Sequence, residues 1–469
     1  MNNKFSGNIG LVLIIALFLL LYFSHINFNS DLWWDSSVYI NMGKYIYSYG
    51  NAGLYEASRP LVWPLILGFF WKIGMDVVFF GKLMVLLFGI GIVIVTYFIA
   101  YELFGKKTAL ISALLLAFSP TFFLFNSIMF SEIPSTFFAV FGVYFFVRKR
   151  YNLSGLFFGI AFMTRFFQIL LIIPFYLFFI YIICKKKANP NQFFTSILFF
   201  LIPAIPYLII NLALFHNPFY PGFLQGYMTM FTGWVYNQPF WFYFLNIIKE
   251  NALSLFSILG IILIIKKEKE MKLAMPFAFL VAFIPYNFVA HKEMRFLIQV
   301  LPLLYILTAY GIVKFSDLFD KFRFFKRYKN IIPFLIIAIA AFQIMPQLRL
   351  NNYDDKLDQF YNFMNAIDIK DAKGLWISNP SFIAYKDAKA DELIYYPLYN
   401  TKKMIELQKK SGKARYVLIN TCDILPCPPN ESQCDKEHGN FMSLLKNKLN
   451  IYFYEKRGEC EYYIFTPKI

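Results

Sequence analysis

The chain has 469 residues, 58% of them hydrophobic and 21% aromatic, with a mean hydropathy of +0.52. That balance excludes an ordinary soluble enzyme and fits a polytopic membrane protein. The formal charge of +17 falls in short basic clusters between apolar runs, as membrane orientation signals do, so it does not imply a nucleic-acid partner.

The first apolar run, "IGLVLIIALFLLLYFS", follows Lys4. No small-x-small cleavage site comes after it, so it reads as a retained first helix rather than a secretory signal. A long loop of about residues 25–77 follows and opens with "DLWWDSSVYINMGKY". Its lengths "INMGKYIYSYG" and "LVWPLILGFFWKIG" read as amphipathic helices lying along a membrane surface, with Trp33 and Trp34 at the interface. Runs long enough to span a bilayer recur near 78–103, 108–125, 131–147, 192–214, 250–265, 273–290, 296–313 and 331–347. Residues 153–184 are too long for one ordinary span and carry Arg165, which is costly in lipid. Two short helices with Arg165 near their turn satisfy both constraints.

That division gives about eleven spans. It puts Lys106-Lys107, Arg148-Lys149-Arg150, Lys185-Lys186-Lys187, "KKEKEMK" (266–272) and "KFSDLFDKFRFFKRYK" (314–329) on one side, which the positive-inside rule makes cytoplasmic. The opposite face then carries the first loop, "NSIMFSE" (126–132), the turn at Arg165, the aromatic loop 215–246 with Trp234 and Trp241, "HKEMRF" (291–296) and the tail. Its charges are few: Asp31, Asp35, Glu56, Arg59, Glu132, Arg165, His291, Lys292, Glu293 and Arg295.

From about residue 349 the composition becomes ordinary, and "GLWISNPSFIAYKD", "LIYYP", "RYVLIN" and "YYIF" read as short strands of a small α/β domain. It holds Cys422, Cys427, Cys434 and Cys460, an even set that implies two disulfides outside the cytoplasm, with three pairings open. A zinc site using His438 is the rival, although the spacings match none of the usual knuckles. Asn430 in "NES" is a glycosylation acceptor pattern on the same side. The expected fold class is therefore mainly α: a polytopic α-helical membrane protein with a small extracytoplasmic α/β C-terminal domain. The expected domains are 1–348, with 25–77 as its outer loop, and 349–469. The setting is an integral multi-pass protein of a prokaryotic plasma membrane or the endoplasmic reticulum.

No P-loop, HExxH, GxSxG or Gly-rich dinucleotide fingerprint occurs. A lipid or polysaccharide transporter is the alternative class, whose marks are internal repeats and charges near the bilayer midplane. Here no such repeat is visible, and the charges sit at helix ends.

Taken in order, "WWDSSVYINMGKYI", "RPLVWPLILGFFWKIG", "FSPTFFLFNSIMFSEIPSTFF", "GLFFGIAFMTRFFQIL", "FHNPFYP" and "HKEMRFLIQVLPLLY" resemble the GT-C superfamily of integral membrane glycosyltransferases. The resemblance covers residues 1 to about 315. It is to the branch using dolichyl or polyprenyl phosphate sugars, and "HKEMRF" is similar to the His-Lys-Glu-x-Arg-Phe signature of its glycan and glycolipid mannosyltransferases. It implies an inverting transfer of a sugar, mannose in that branch, from a lipid phosphate to an acceptor hydroxyl outside the cytoplasm. The acceptor is a protein, a glycan or a glycolipid.

A sugar on a lipid phosphate already has a good leaving group, so the chemistry needs one base and cations for the departing phosphate. The resemblance makes Asp35 the base; its bland role is an N-cap for a helix beginning near Ser36. Glu132 stands where the family carries an outer acid, and a helix N-terminus would favour it equally well. Arg59, Arg165, Lys292 and Arg295 are the candidates for the lipid phosphate, with Lys292 or Arg295 alternatively pairing with Glu293. His291 and Glu293 are candidate supports, named for their place in the signature. Many relatives carry an Asp-Glu pair in the first loop, whereas Ser36 follows Asp35. A divalent metal therefore finds no support in this loop.

Overall fold

The computed structural model describes residues 2–27, 30–231, 235–268, 270–318, 332–354, 356–366, 374–394, 401–424, 427 and 432–468. Trp234, Asn430 and most of the basic cluster 314–329 lie outside the described residues. The helices are α1 (Asn2–His25), α2 (Trp34–Tyr47), α3 (Val62–Lys72), α4 (Val77–Phe104), α5 (Lys106–Ala117), α6 (Pro120–Phe125), α7 (Glu132–Val147), α8 (Tyr151–Thr164), α9 (Ile169–Cys184) and α10 (Pro190–Phe215). They continue as α11 (Tyr220–Phe231), α12 (Phe242–Glu250), α13 (Phe256–Lys267), α14 (Ala274–Phe288), α15 (Leu301–Leu318), α16 (Ile332–Ile344), α17 (Asp358–Ala366), α18 (Ser381–Ala384), α19 (Thr401–Lys410) and α20 (Ser432–Lys448). Five strands belong to the tail: β1 (Leu375–Ile377), β2 (Glu392–Leu393), β3 (Tyr416–Asn420), β4 (Leu449–Arg457) and β5 (Cys460–Pro467).

The chain separates into two compact units. The first contains residues 1–29, 58–62 and 81–352, the membrane helices. Among the described residues, the segments Val77–Phe104, Phe166–Cys184, Pro190–Phe215 and Met271–Phe288 are each long and apolar enough to cross a bilayer; shorter apolar helices accompany them. Residues on their outward faces, such as Leu198, Ile202 and Ile209 of α10, are exposed, as lipid-facing side chains are. The run 108–125 is broken into α5 and α6, because Pro120 cannot continue α5 and instead opens α6. The run 153–184 divides into α8 and α9 at Arg165, whose backbone is extended (φ −157°, ψ 120°). Close approach between spans rests on small residues. A Cβ on Gly260 of α13 would lie 2.1 Å from the Leu307 carbonyl oxygen, and one on Gly311 of α15 would lie 2.0 Å from that of Phe256, so only glycine lets the two backbones meet.

The second unit contains residues 30–57, 63–80 and 353–469. It differs from the expected 349–469 domain by including most of the first loop. Its sheet has the order β2-β1-β3-β5-β4, with β2, β1 and β3 parallel and β5 antiparallel to both β3 and β4. Successive residues of β1, β3 and β5 point to opposite faces. Trp376, Val417, Ile419 and Phe465 join Leu407, Phe441 and Leu445 in one core. Leu375, Ile377, Leu418 and Ile464 join Phe360, Phe382 and Leu54 in the other.

Leu54 brings the first loop into that core, and a polar face of α2 does the same. Asn41 Nδ2 donates to the Pro380 carbonyl oxygen (2.7 Å). Lys44 Nζ donates to those of Ala384 and Lys386 (2.8 Å each) and stands 3.6 Å from Asp387 Oδ1. Trp71 Nε1 also donates to Asp387 (2.8 Å). The expected strand in "SFIA" is instead α18, and β4 is an addition to the expected strands.

The four tail cysteines form two disulfides, Cys422–Cys460 and Cys427–Cys434. One ties the turn after β3 to the start of β5; the other ties Cys427 to α20.

Candidate active site

In the membrane unit, Glu132 is the first residue of α7, where the helix dipole favours a carboxylate. It is 3% exposed. Arg165, released from α8 by the extended break, brings Nη1 to 3.1 Å from Glu132 Oε1 and donates to Ser131 Oγ (3.2 Å). Its guanidinium lies over the rings of Phe167 (5.5 Å) and Phe296 (5.6 Å). The apolar surroundings that make an arginine costly thus supply cation–π partners.

Arg295 arrives from the opposite sequence direction, on a 3-10 turn over Met294–Gln299 that precedes α15. Its Nε is 3.6 Å from Glu132 Oε1, and its guanidinium stands over Phe130 (5.1 Å) and Phe296 (5.5 Å). Arg295 Nη2 donates to Glu293 Oε1 (2.7 Å), which also meets His291 Nε2 at 2.7 Å. Burial pushes the Glu293 carboxyl up, but Arg295 and His291 outweigh it and hold the group below the ordinary carboxylate range. His291 stacks on Tyr236 with ring centroids 4.3 Å apart, and the Tyr243 hydroxyl donates to the Glu293 carbonyl oxygen (3.3 Å). Signature and aromatic loop are therefore one structure, with Glu293 orienting the arginine.

Glu132, Thr136, Arg165, Gln168, Arg295, Phe296 and Gln299 line a narrow cavity that is too small to hold a water molecule. Two guanidinium groups and one carboxylate give its wall a net positive charge. Thr136, Gln168 and Gln299 were not among the expected site residues. Their signal is faint: a neutral polar side chain inside an apolar run, with Gln168 three residues after Arg165 and Gln299 four after Arg295.

The other candidates stand elsewhere. Lys292 is 5% exposed, and its Nζ donates to the Gln238 carbonyl oxygen (2.8 Å), so it fastens the aromatic loop. Arg59 is half-buried, and its carbonyl oxygen accepts from the Tyr207 hydroxyl (3.3 Å). Asp35 belongs to the other unit, half-buried in the first turn of α2. The helix begins at Trp34 with Trp33 at the N-cap, so the cap role anticipated for Asp35 is corrected: the carboxylate lies inside the first turn. Trp33, expected at the membrane interface, stacks on Tyr353 at 4.8 Å. Among the described residues no three His, Cys, Asp or Glu side chains are placed to hold a metal ion.

Comparison with known proteins adds the following. Residues 58–210 match the family model described as dolichyl-phosphate-mannose-protein mannosyltransferase, a stretch that includes Arg59, Glu132 and Arg165 but neither Asp35 nor Arg295. No curated protein matches the sequence. Among solved structures, ArnT from Cupriavidus metallidurans bound to undecaprenyl phosphate superposes with a TM-score of 0.67 at 10% identity, covering 97% of each chain. The archaeal oligosaccharyltransferase AglB from Archaeoglobus fulgidus, in complex with an inhibitory peptide and a dolichol-phosphate, gives 0.63 at 14% identity over 98% of this chain and 74% of that one. The mycobacterial arabinofuranosyltransferase AftD gives 0.56 at 10% identity over 97% and 41%. The chain shares the fold of these solved structures, and the protein is an integral multi-pass membrane protein.

Proposed function

We propose that the protein is an inverting glycosyltransferase that moves a sugar from a polyprenyl or dolichyl phosphate to an acceptor hydroxyl outside the cytoplasm. The observation that carries this reading is the convergence of Arg165 and Arg295 on the cavity beside Glu132. Guanidinium groups grip phosphate oxygens in bidentate fashion, and two of them neutralise the charge that grows on the phosphate as it leaves. The ArnT and AglB structures, which carry undecaprenyl phosphate and dolichol-phosphate, support a lipid-phosphate donor. The matching family description and the "HKEMRF" resemblance support mannose as the sugar.

In the proposed reaction the acceptor oxygen attacks the anomeric carbon as the bond from that carbon to the phosphate oxygen breaks. Asp35 takes the acceptor proton, and the lipid phosphate departs as an anion held by Arg165 and Arg295. Arg59 is retained as a phosphate partner, and Lys292 and His291 as supports of the signature loop. Glu132 is engaged with two guanidinium groups and buried, so its proposed role is to position them. No step is routed through a metal.

The test uses purified protein in nanodiscs with radiolabelled dolichyl-phosphate mannose and a mixed pool of hydroxyl acceptors. Label should move to acceptor as unlabelled dolichyl phosphate appears. The Asp35→Asn protein should bind donor normally and turn over about 100-fold to 10,000-fold more slowly. A wild-type protein that binds the lipid sugar and leaves it intact is a transporter and overturns the proposal.

A further inference from the structure

The gap beside Glu132 is closed even to water, so a phosphate that reaches the two arginines must meet them on another side. Arg295 also holds a second carboxylate. Its Nη2 donates to Glu293 Oε1 (2.7 Å), and the same oxygen meets His291 Nε2 at 2.7 Å. An ionised carboxylate only accepts hydrogen bonds, so the imidazole donates here. Glu293 Oε1 therefore sits between two donors, a guanidinium and an imidazole N–H, that suit any anionic oxygen.

The two carboxylates on Arg295 differ in their freedom to leave. Glu132 belongs to the first turn of α7, its side chain is 4% exposed, and Arg165 holds it as well. The Glu293 side chain is 29% exposed, with His291 and Arg295 half-buried beside it. Its backbone is extended (φ −137°, ψ 145°) ahead of the 3-10 turn. Its carbonyl oxygen accepts from the Tyr243 hydroxyl (3.3 Å) and the Phe296 amide (3.1 Å), so the main chain is pinned. Rotation about the side-chain bonds carries the carboxylate into solvent without disturbing helix or turn. A phosphate oxygen accepts from the same two donors, in charge-assisted bonds like those of a carboxylate.

Resting on the proposed donor reading, we infer that Glu293 is a displaceable stand-in for the donor: a phosphate oxygen of the lipid takes the place of Glu293 Oε1 between His291 and Arg295, and the carboxylate turns out to solvent. His291 is thereby a phosphate-binding residue and not only a support of the signature loop. The phosphodiester of a lipid-phosphate sugar carries a single negative charge, as the carboxylate does, so the exchange never leaves Arg295 without an anion. Glu132 stays in place on the buried side throughout. The exchange also sets a cost that every donor molecule must overcome, since it binds only by displacing an anion already there.

The experiment measures binding of plain dolichyl phosphate and dolichyl-phosphate mannose to wild-type and Glu293→Gln protein in nanodiscs, with thermal unfolding as the check on folding. The amide keeps the shape and competes for the two donors only as a neutral acceptor. Both lipids should therefore bind about 5-fold to 10-fold more tightly, the difference between a charge-assisted and a neutral hydrogen bond. Adding His291→Phe, which keeps a ring against Tyr236, should return most of that gain, because the phosphate then has one donor fewer. Should Glu293→Gln fail to fold, Glu293→Ala carries the same expectation. Weaker or unchanged binding in the folded variant means that the carboxylate only orients Arg295, and overturns the inference while the donor reading stands. A gain that survives His291→Phe is a general effect of lost charge and overturns it too, as does failure of both Glu293 variants to fold, which makes the residue a structural pin. A wild-type protein that binds neither lipid overturns the donor reading and the inference with it.

Discussion

Removing both members of the Glu132–Arg165 pair should cost clearly less than the sum of the two single removals. At 3.1 Å and an effective dielectric of about 20, the gross attraction is roughly 5 kcal/mol, much of it offset by the desolvation of two buried ions. Arg165→Leu leaves a carboxylate that is 3% exposed with Arg295 Nε at 3.6 Å; stranding such a charge costs about 3–5 kcal/mol. Glu132→Gln is milder, because Arg165 keeps Ser131 Oγ and two aromatic faces. The double variant strands neither charge, so its cost should fall about 2 kcal/mol or more below the sum of the single costs. For a cooperative melt of all 469 residues, 1 kcal/mol corresponds to roughly 1 °C in Tm, and Arg165→Leu should lower Tm by about 3–5 °C. Thermal unfolding of the four proteins in one nanodisc preparation reads the cycle. Strict additivity, or an Arg165→Leu protein as stable as wild type, refutes a buried, mutually dependent pair.

Two further outcomes concern the tail unit. Burial pulls the Lys44 amine down to about 8, with Asp387 opposing. A folded pKa below the unfolded one makes the stability contribution complete above the unfolded value and lost as pH falls through the folded value. Tm should therefore rise from pH 8 towards pH 10, at most about 1.4 kcal/mol per pH unit, and Lys44→Met should abolish that rise; an unchanged pH slope refutes it. The Cys422–Cys460 bridge spans a sequence separation of 38, and loop-closure entropy gives it about 4 kcal/mol. Mild reduction should lower the tail's melting temperature, and non-reducing peptide mapping should recover Cys422 with Cys460 and Cys427 with Cys434. Free thiols at all four positions refute the pairing.

What could be read from the sequence follows the strength of each physical signal. Lipid imposes a strict length and polarity rule, so the apolar runs, and the break forced by Arg165, were legible. Glu132 and Arg295 were legible because charges at helix ends near apolar segments are scarce. Gln168 and Gln299 were not, since an uncharged amide in an apolar run reads as a minor interruption until its carbonyl is found without a donor. Lys292 shows a related limit: its charge was visible, but the carbonyl oxygen of Gln238 that it donates to, 54 residues away, leaves no mark in composition. The strand β4 escaped because edge strands mix exposed aromatics such as Tyr452 and Tyr454 with charges. The attachment of the first loop to the tail rests on Asn41, Lys44 and backbone carbonyls more than 300 residues distant, a pairing that no local pattern encodes.

The two arginines share an origin that explains why they meet. Irregular backbone at membrane depth persists only where protein or water satisfies it, because a lipid-exposed peptide group without a partner is too costly. The chain makes two breaks from helix in this unit near the cavity: the extended residue at Arg165 with its short turn Phe166–Gln168, and the 3-10 turn Met294–Gln299. Each interrupts a helical path, and each carries an arginine followed within four residues by a glutamine. The turns free side chains that a continuous helix would point along its own flank. Both guanidinium groups lie over the Phe296 ring, and the two turns bring them together with Gln168 and Gln299 in a single wall. Glu132, at the start of a third helix, then fixes the spacing of the two positive charges.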